Sequence, residues 1–151
     1  MDLISLIKEE LQIDFHGIHG IRHWQNVFYN TQILSSHYNI NSEVFELFSL
    51  LHDSKREDEY LDSHHGKRAA AFVEELIQNN IINNLSQQDV DRLRYACANH
   101  TYSDKKPPLY NDLIVQICFD SDRLDIGRVG VEVDPYYLST SYAKKLILLN
   151  N

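Results

Sequence analysis

Phe48-Ser49-Leu50-Leu51-His52-Asp53 is the stretch around which this chain reads. Working back from it, Val44, Phe45, Leu47, Phe48, Leu50 and Leu51 are apolar nearly all round a helical wheel, the pattern of a helix buried on every side. Ser42 is placed to cap its start, with Glu43 in the first turn, where a negative charge suits the helix dipole. The run then ends in an imidazole and a carboxylate. A core helix that delivers two polar side chains at its last turn is expected to form the floor of a site.

The same arrangement recurs outward in both directions. Upstream, Leu3, Leu6, Ile7 and Leu11 mark a short amphipathic helix over residues 2–12. His16-Gly17-Ile18-His19-Gly20 is a glycine-punctuated loop leading into a helix from about His19 to Tyr38, with His19 and His23 one turn apart on one face. Downstream, charged residues from Lys55 to Ser63 read as a solvated loop. Helices are predicted over His64–Asn79, from Ser86 to His100 with Asp89 in a capping-box position, and over Leu113–Phe119 behind a cap at Asn111 or Asp112. Thr101–Pro108 is a polar break that Pro107 and Pro108 close. Val129–Val133 reads as a short extended piece, Asp134-Pro135 as a cap with proline in the first turn, and Ser139–Leu149 as the last helix. With no repeat or linker, residues 1–151 are expected to form one all-α domain, a bundle of about six or seven helices.

Composition narrows the function. At 151 residues and 43% apolar, the chain can bury a core of its own. No segment reaches the roughly 20 apolar residues of a membrane span, and Met1–Ser5 lacks the basic start of a signal peptide. Cys97 and Cys118 stand alone in apolar helical runs, which suggests buried thiols in a reducing, cytoplasmic setting. A formal charge of −8 argues against extended nucleic-acid binding but leaves room for a small phosphate ester. The anomaly is histidine: setting aside His37 and His64, six of eight (His16, His19, His23, His52, His65 and His100) fall in segments that close or open apolar runs.

Such clustering points to a metal site assembled by folding, because divalent ions accept mixed imidazole and carboxylate shells. His23, His52, Asp53 and Asp122 supply two of each from three distant segments. His19 is the rival of His23 for the first position and otherwise a neighbour that orients the ligands. Asp120 and Asp125 flank Asp122 and read as helix-end ion-pair partners, with direct ligation of the metal as the alternative for each, and Arg123 reads as structural. Glu57 and Asp58, close behind the His-Asp pair, are candidates for proton transfer.

The order His23 … His52-Asp53 … Asp122, in those helical contexts, resembles the HD-domain superfamily of metal-dependent phosphohydrolases over roughly residues 16–140. His23-Trp24-Gln25-Asn26-Val27 is similar to its first motif, His52-Asp53 to the doublet, and Asp120-Ser121-Asp122-Arg123-Leu124-Asp125 to the last motif, with Asp122 directly before Arg-Leu. Asn26 departs from the arginine common before the valine. The resemblance implies a divalent metal cofactor (Mn, Fe, Co, Ni, Mg or Zn) held by His23, His52, Asp53 and Asp122. His65 and His100 resemble the additional histidines of members that hold two ions. It further implies hydrolysis of a small phosphorylated substrate, a nucleotide or another phosphometabolite, by metal-activated water. Asp53 would orient the water, and Arg56, Lys67 or Arg68 would meet the phosphate. Two other classes fit the same motifs: a di-iron oxygenase of this fold and a non-catalytic effector-binding module. No membrane or extended nucleic-acid partner is expected.

Overall fold

The computed structural model describes residues 2–101 and 109–150, so the expected polar break lies, beyond Thr101, outside the described residues. Seven α-helices follow one another: α1 (Leu3–Glu10), α2 (Ile21–Tyr38), α3 (Val44–Leu51), α4 (His65–Gln78), α5 (Gln87–Asn99), α6 (Leu113–Arg123) and α7 (Ser141–Leu149). Two short 3-10 turns, Ile126–Val129 and Pro135–Tyr137, separate α6 from α7, and no strand occurs among the described residues.

The all-apolar run becomes the centre of the molecule. Val44, Phe45, Phe48 and Leu51 of α3 are fully enclosed, and α3 packs against α2, α5 and α6 at once. The amphipathic helices turn their apolar stripes onto it: Trp24, Val27 and Leu34 from α2, Leu93, Ala96 and Cys97 from α5, Val115, Ile117 and Cys118 from α6. At about 25 cal/mol per Å² of apolar surface, this shared core is the main term holding the helix ends in place.

Helices α4 and α5 form an antiparallel hairpin with an unusually close approach. A Cβ built on Gly66 would lie 2.6 Å from the Cys97 carbonyl oxygen, so only glycine lets the start of α4 press against the end of α5. This contact brings His65, one residue before Gly66, beside His100, the residue that ends α5.

Several expected boundaries move for local reasons. Helix α2 begins at Ile21 behind Gly20, which leaves His19 in the preceding turn. Ser42 lies one residue ahead of the cap position, held by Glu43, but still accepts from Val44 N at 3.1 Å. Ser86 and Asp112 cap as expected, accepting from Asp89 N and Val115 N. The extended piece at Val129–Val133 does not form: Gly130 takes a left-handed conformation (φ 79°) after the 3-10 turn, and no neighbouring strand exists among the described residues to pair with it. Helix α7 starts at Ser141 rather than Ser139 because the backbone N–H groups of Ser139 and Thr140 are bound by the Asp120 carboxylate, and Thr140 becomes the cap. No helix among the described residues is long and apolar enough to cross a membrane.

Candidate metal centre

Each histidine of the cluster turns one ring nitrogen onto a nearby oxygen, in two cases a carbonyl in the last turn of its own helix. His52 Nδ1 lies 3.0 Å from the Phe48 carbonyl and 3.2 Å from that of Ser49, back along α3. His100 Nδ1 lies 2.7 Å from the Cys97 carbonyl, back along α5. His65 Nδ1 faces the Asp62 carbonyl, and His19 Nε2 lies 3.0 Å from the Glu59 carbonyl. His23 Nδ1 instead meets the Asp125 carboxylate at 2.7 Å. Each of these oxygens can only accept, so on all five rings the hydrogen bonding assigns the proton to that nitrogen. The opposite nitrogen of each neutral ring is then a bare lone pair.

All five lone pairs turn inward. His23 Nε2 and His52 Nε2 are 3.0 Å apart, and His65 Nε2 and His100 Nε2 are 2.9 Å apart. Two neutral imidazoles cannot hydrogen-bond through two lone pairs; such convergence is stable only around a cation or a shared proton. The carboxylates complete the cluster. Asp122 Oδ1 lies 3.0 Å from His23 Nε2 and 3.5 Å from His52 Nε2. Asp53 divides its two oxygens: Oδ2 faces His19 (3.3 Å), His52 (3.4 Å) and His23 (3.5 Å), while Oδ1 faces His65 (3.1 Å) and His100 (3.4 Å). Asp53 is 2% exposed and His52 wholly buried.

The electrostatics follow. Burial would raise the Asp53 carboxyl, but the His52 ring and the His100, His19 and His65 rings that face it outweigh burial and hold it well below the usual carboxylate range. Asp122 is held down in the same way by His23 and His52. Burial opposes charging of His23, yet hydrogen bonds to Asp122 and Asp125 outweigh it and push the ring up to about 9. His23, His52 and Asp122 form one set able to hold a divalent ion, and His52, Asp53 and His100 a second set sharing His52. An outer N–H fixed on an oxygen, with the inner nitrogen free, is also how metal-bound histidines are oriented in general.

A cleft of about 160 Å³ opens over this floor, lined by Asp53, Arg56, His65, His100, Thr101, Asp122, Arg123, Ile126 and Arg128. Arg56 stands in it with Nε 3.4 Å from Asp53 Oδ1. Two expected phosphate-binding cations do not line it. Lys67 is exposed two residues past His65, and two residues turn a helix by about 200°, onto its opposite face. Arg68 is committed elsewhere, to the Asp62 carboxylate at 2.5 Å and the Lys55 carbonyl at 3.1 Å. Glu57 and Asp58 are exposed and outside the cleft lining; Asp58 caps the turn at Tyr60 and Leu61.

Asp120 points away from the cluster, accepting from Ser139 N, Thr140 N and Thr140 Oγ1, each at 2.7 Å. Asp120→Ala strands these largely buried donors and is expected to cost about 2 kcal/mol of stability with metal uptake unchanged, since a buried unsatisfied group costs about 1–3 kcal/mol. Denaturant unfolding beside elemental analysis checks both halves.

Asp125, read as an ion-pair partner, aims the His23 ring and is itself held by Asn26, whose amide donates to it at 3.0 Å. Asn26, the departure from the first motif, therefore supports the carboxylate that aims His23. Arg123, read as structural, and Arg128, not singled out, both stand in the cleft. Gly127 and Gly130 signal a turn there, but nothing local to the sequence shows that this turn folds back to place Arg128 Nε 2.9 Å from the Ile18 carbonyl. Burial pushes the Cys97 and Cys118 thiols up, so both free cysteines stay protonated and inert.

The fold is that of an HD-type helical domain. It matches the crystal structure of a predicted HD superfamily hydrolase from an uncultured Thermotogales bacterium with a TM-score of 0.70, over 96% of this chain and 80% of that chain, at 24% sequence identity. No family model and no curated protein matches the sequence. At that identity the likeness is one of fold, and the chemistry rests on the side chains.

Proposed function

We propose that this protein is an HD-domain phosphohydrolase that cleaves a small phosphate ester, a nucleotide or another phosphometabolite, with a divalent metal cofactor. The observation that carries the reading is the convergence of imidazole lone pairs on the Asp53 and Asp122 carboxylates beneath an open cleft. His23, His52, Asp53 and Asp122 hold the ion; His65 and His100, both on Asp53 Oδ1, are candidate ligands of a second ion, and His19 borders the same carboxylate. A bound divalent ion supplies a Lewis acid that brings the pKa of water toward neutrality and offsets charge on the phosphoryl oxygens. Within the cleft, Asp53 accepts from and orients the attacking water, and Arg56 meets a non-bridging oxygen. The inert buried thiols fit a cytoplasmic setting, and the acidic surface favours a free metabolite over extended nucleic acid or a membrane.

The test is phosphate release across a panel of nucleotides and phosphometabolites, with the metal-stripped protein reloaded in turn with Mn, Fe, Co, Ni, Mg and Zn. Metal-dependent turnover on at least one ester is expected. Absence of turnover with every ion, alongside tight nucleotide binding, would move the protein to a non-catalytic effector module.

The division of Asp53 between two histidine sets also suits a di-iron oxygenase, which needs a bridging carboxylate. Iron content with substrate-dependent oxygen uptake would select that reading.

A further inference from the structure

The cleft gathers an unusual share of the chain's arginines. Arg56, Arg123 and Arg128 are three of the chain's seven arginines, and all three line this one cavity in a protein of net charge −8. Arg56 is matched by Asp53. The other two are not: among the described residues no carboxylate lies within ion-pair distance of Arg123 or Arg128. Arg123 lies over the Tyr137 ring at 5.5 Å. Arg128 is fixed by neutral acceptors, donating from Nε to the Ile18 carbonyl (2.9 Å) and from one terminal nitrogen to the Asp125 carbonyl (3.0 Å), with the other 3.3 Å from His19 Nδ1. A guanidinium held in place by carbonyls keeps its full charge and a preset direction.

With a divalent ion on each of the two ligand sets, those ions and Arg56 less the Asp53 and Asp122 carboxylates would leave three positive charges, already more than one phosphate group carries at neutral pH. The charges of Arg123 and Arg128 are then surplus. They also come from adjacent parts of the chain, the end of α6 and the 3-10 turn behind it, whereas His65, His100 and Thr101 reach the cleft from α4 and the end of α5. Bidentate guanidinium groups are the usual partners of phosphate oxygens.

We infer that Arg123 and Arg128 form a second anion subsite that binds a phosphate linked directly to the one over the metal centre. The substrate class is therefore a compound with two adjacent phosphoryl groups, such as a nucleoside diphosphate or triphosphate, rather than a simple monoester. This rests on the phosphohydrolase reading above.

Two non-hydrolysable probes separate the claims: methylphosphonate, with one phosphoryl-like group, and methylenediphosphonate, with two. Both are titrated calorimetrically into metal-loaded protein at constant ionic strength, and metal content is measured afterwards to exclude stripping. The intact protein is expected to prefer the diphosphonate by at least tenfold. Arg123→Gln and Arg128→Gln should each remove most of that preference while leaving methylphosphonate affinity and metal content within about twofold. Arg128→Lys, which keeps the charge but loses the fork, should fall between. Lys67→Gln, outside the cleft, should change nothing. Equal affinity for the two probes, or parallel weakening of both in the arginine variants, would overturn the subsite and leave the metal-centre reading standing. If methylphosphonate fails to bind metal-loaded protein at all, both fall. Because Arg128 also ties down its own turn, Arg123→Gln decides the matter should Arg128→Gln unfold.

Discussion

Asp53→Asn should empty the metal centre and abolish turnover while leaving a folded helical protein. The substitution keeps the shape of the side chain but removes the one group that touches both histidine sets. An amide offers a single acceptor oxygen, and its NH₂ would confront either His65 and His100 or His19, His23 and His52. Metal content by elemental analysis is expected to drop below a tenth of the unsubstituted value. Phosphate release should fall by roughly a thousandfold or more, at the upper end of what loss of one electrostatic group in an active site costs. Circular dichroism should show helix content retained, because the α3 core of Val44, Phe45, Phe48 and Leu51 is untouched. Equal metal content in both proteins would remove Asp53 from the site and undo the ligand assignment.

The largest effect on stability is expected at Gly20. A Cβ there would lie 2.0 Å from the Phe15 carbonyl oxygen and 2.5 Å from its carbon, distances no side chain tolerates. The backbone of Gly20 is extended, so the demand is one of space and not of dihedral freedom. The Phe15 carbonyl cannot withdraw easily, since it accepts from Ile21 N at 2.8 Å and starts α2. Gly20→Ala must therefore separate the 15–20 loop from the helix that carries His23 and pull on the His19 carbonyl, to which the buried Trp24 indole donates. A loss of about 3 kcal/mol follows from overpacking against rigid backbone, or a fall of roughly 10 °C in Tm for a chain of this size, together with weaker metal uptake. Gly127→Ala is the control, because a Cβ at that position meets nothing within 4 Å. Thermal melts of the two variants side by side test the claim; equal melting temperatures would contradict it.

The helices were readable from sequence because each carries its own local signal. The all-apolar α3, the Ser86 and Asp112 caps and the stripes of α2 and α5 depend on near neighbours along the chain. What the sequence did not carry was the direction of each helix end. His52, Asp53 and Asp122 could be named from their positions at the close of apolar runs, yet Asp120, two residues from Asp122, turns about 200° away and ties down α7 instead. Lys67 illustrates the same limit, since a two-residue offset from His65 places it on the outer face. Arg128 lay beyond reach for another reason. Its position depends on contacts with Ile18 and His19, more than a hundred residues away in sequence, and a lone arginine in a glycine-flanked turn gives no hint of them. Long-range convergence is a property of packing, whereas a cap or a stripe is a property of the segment itself.

The way the rings are aimed sets which neighbours are free to vary. His52, His100, His65 and His19 lean on the main-chain oxygens of Phe48, Cys97, Asp62 and Glu59, and a main-chain oxygen persists whatever side chain the residue carries. Mutational drift at those four positions answers to packing and loop stability and does not turn a ring. His23 is the exception, because its anchor is a carboxylate on a side chain, supported in turn by another side chain at Asn26. Heritable change in the surroundings of this site therefore has one sensitive channel, the pair Asn26 and Asp125, through which a substitution that touches neither cleft nor core redirects a ligand.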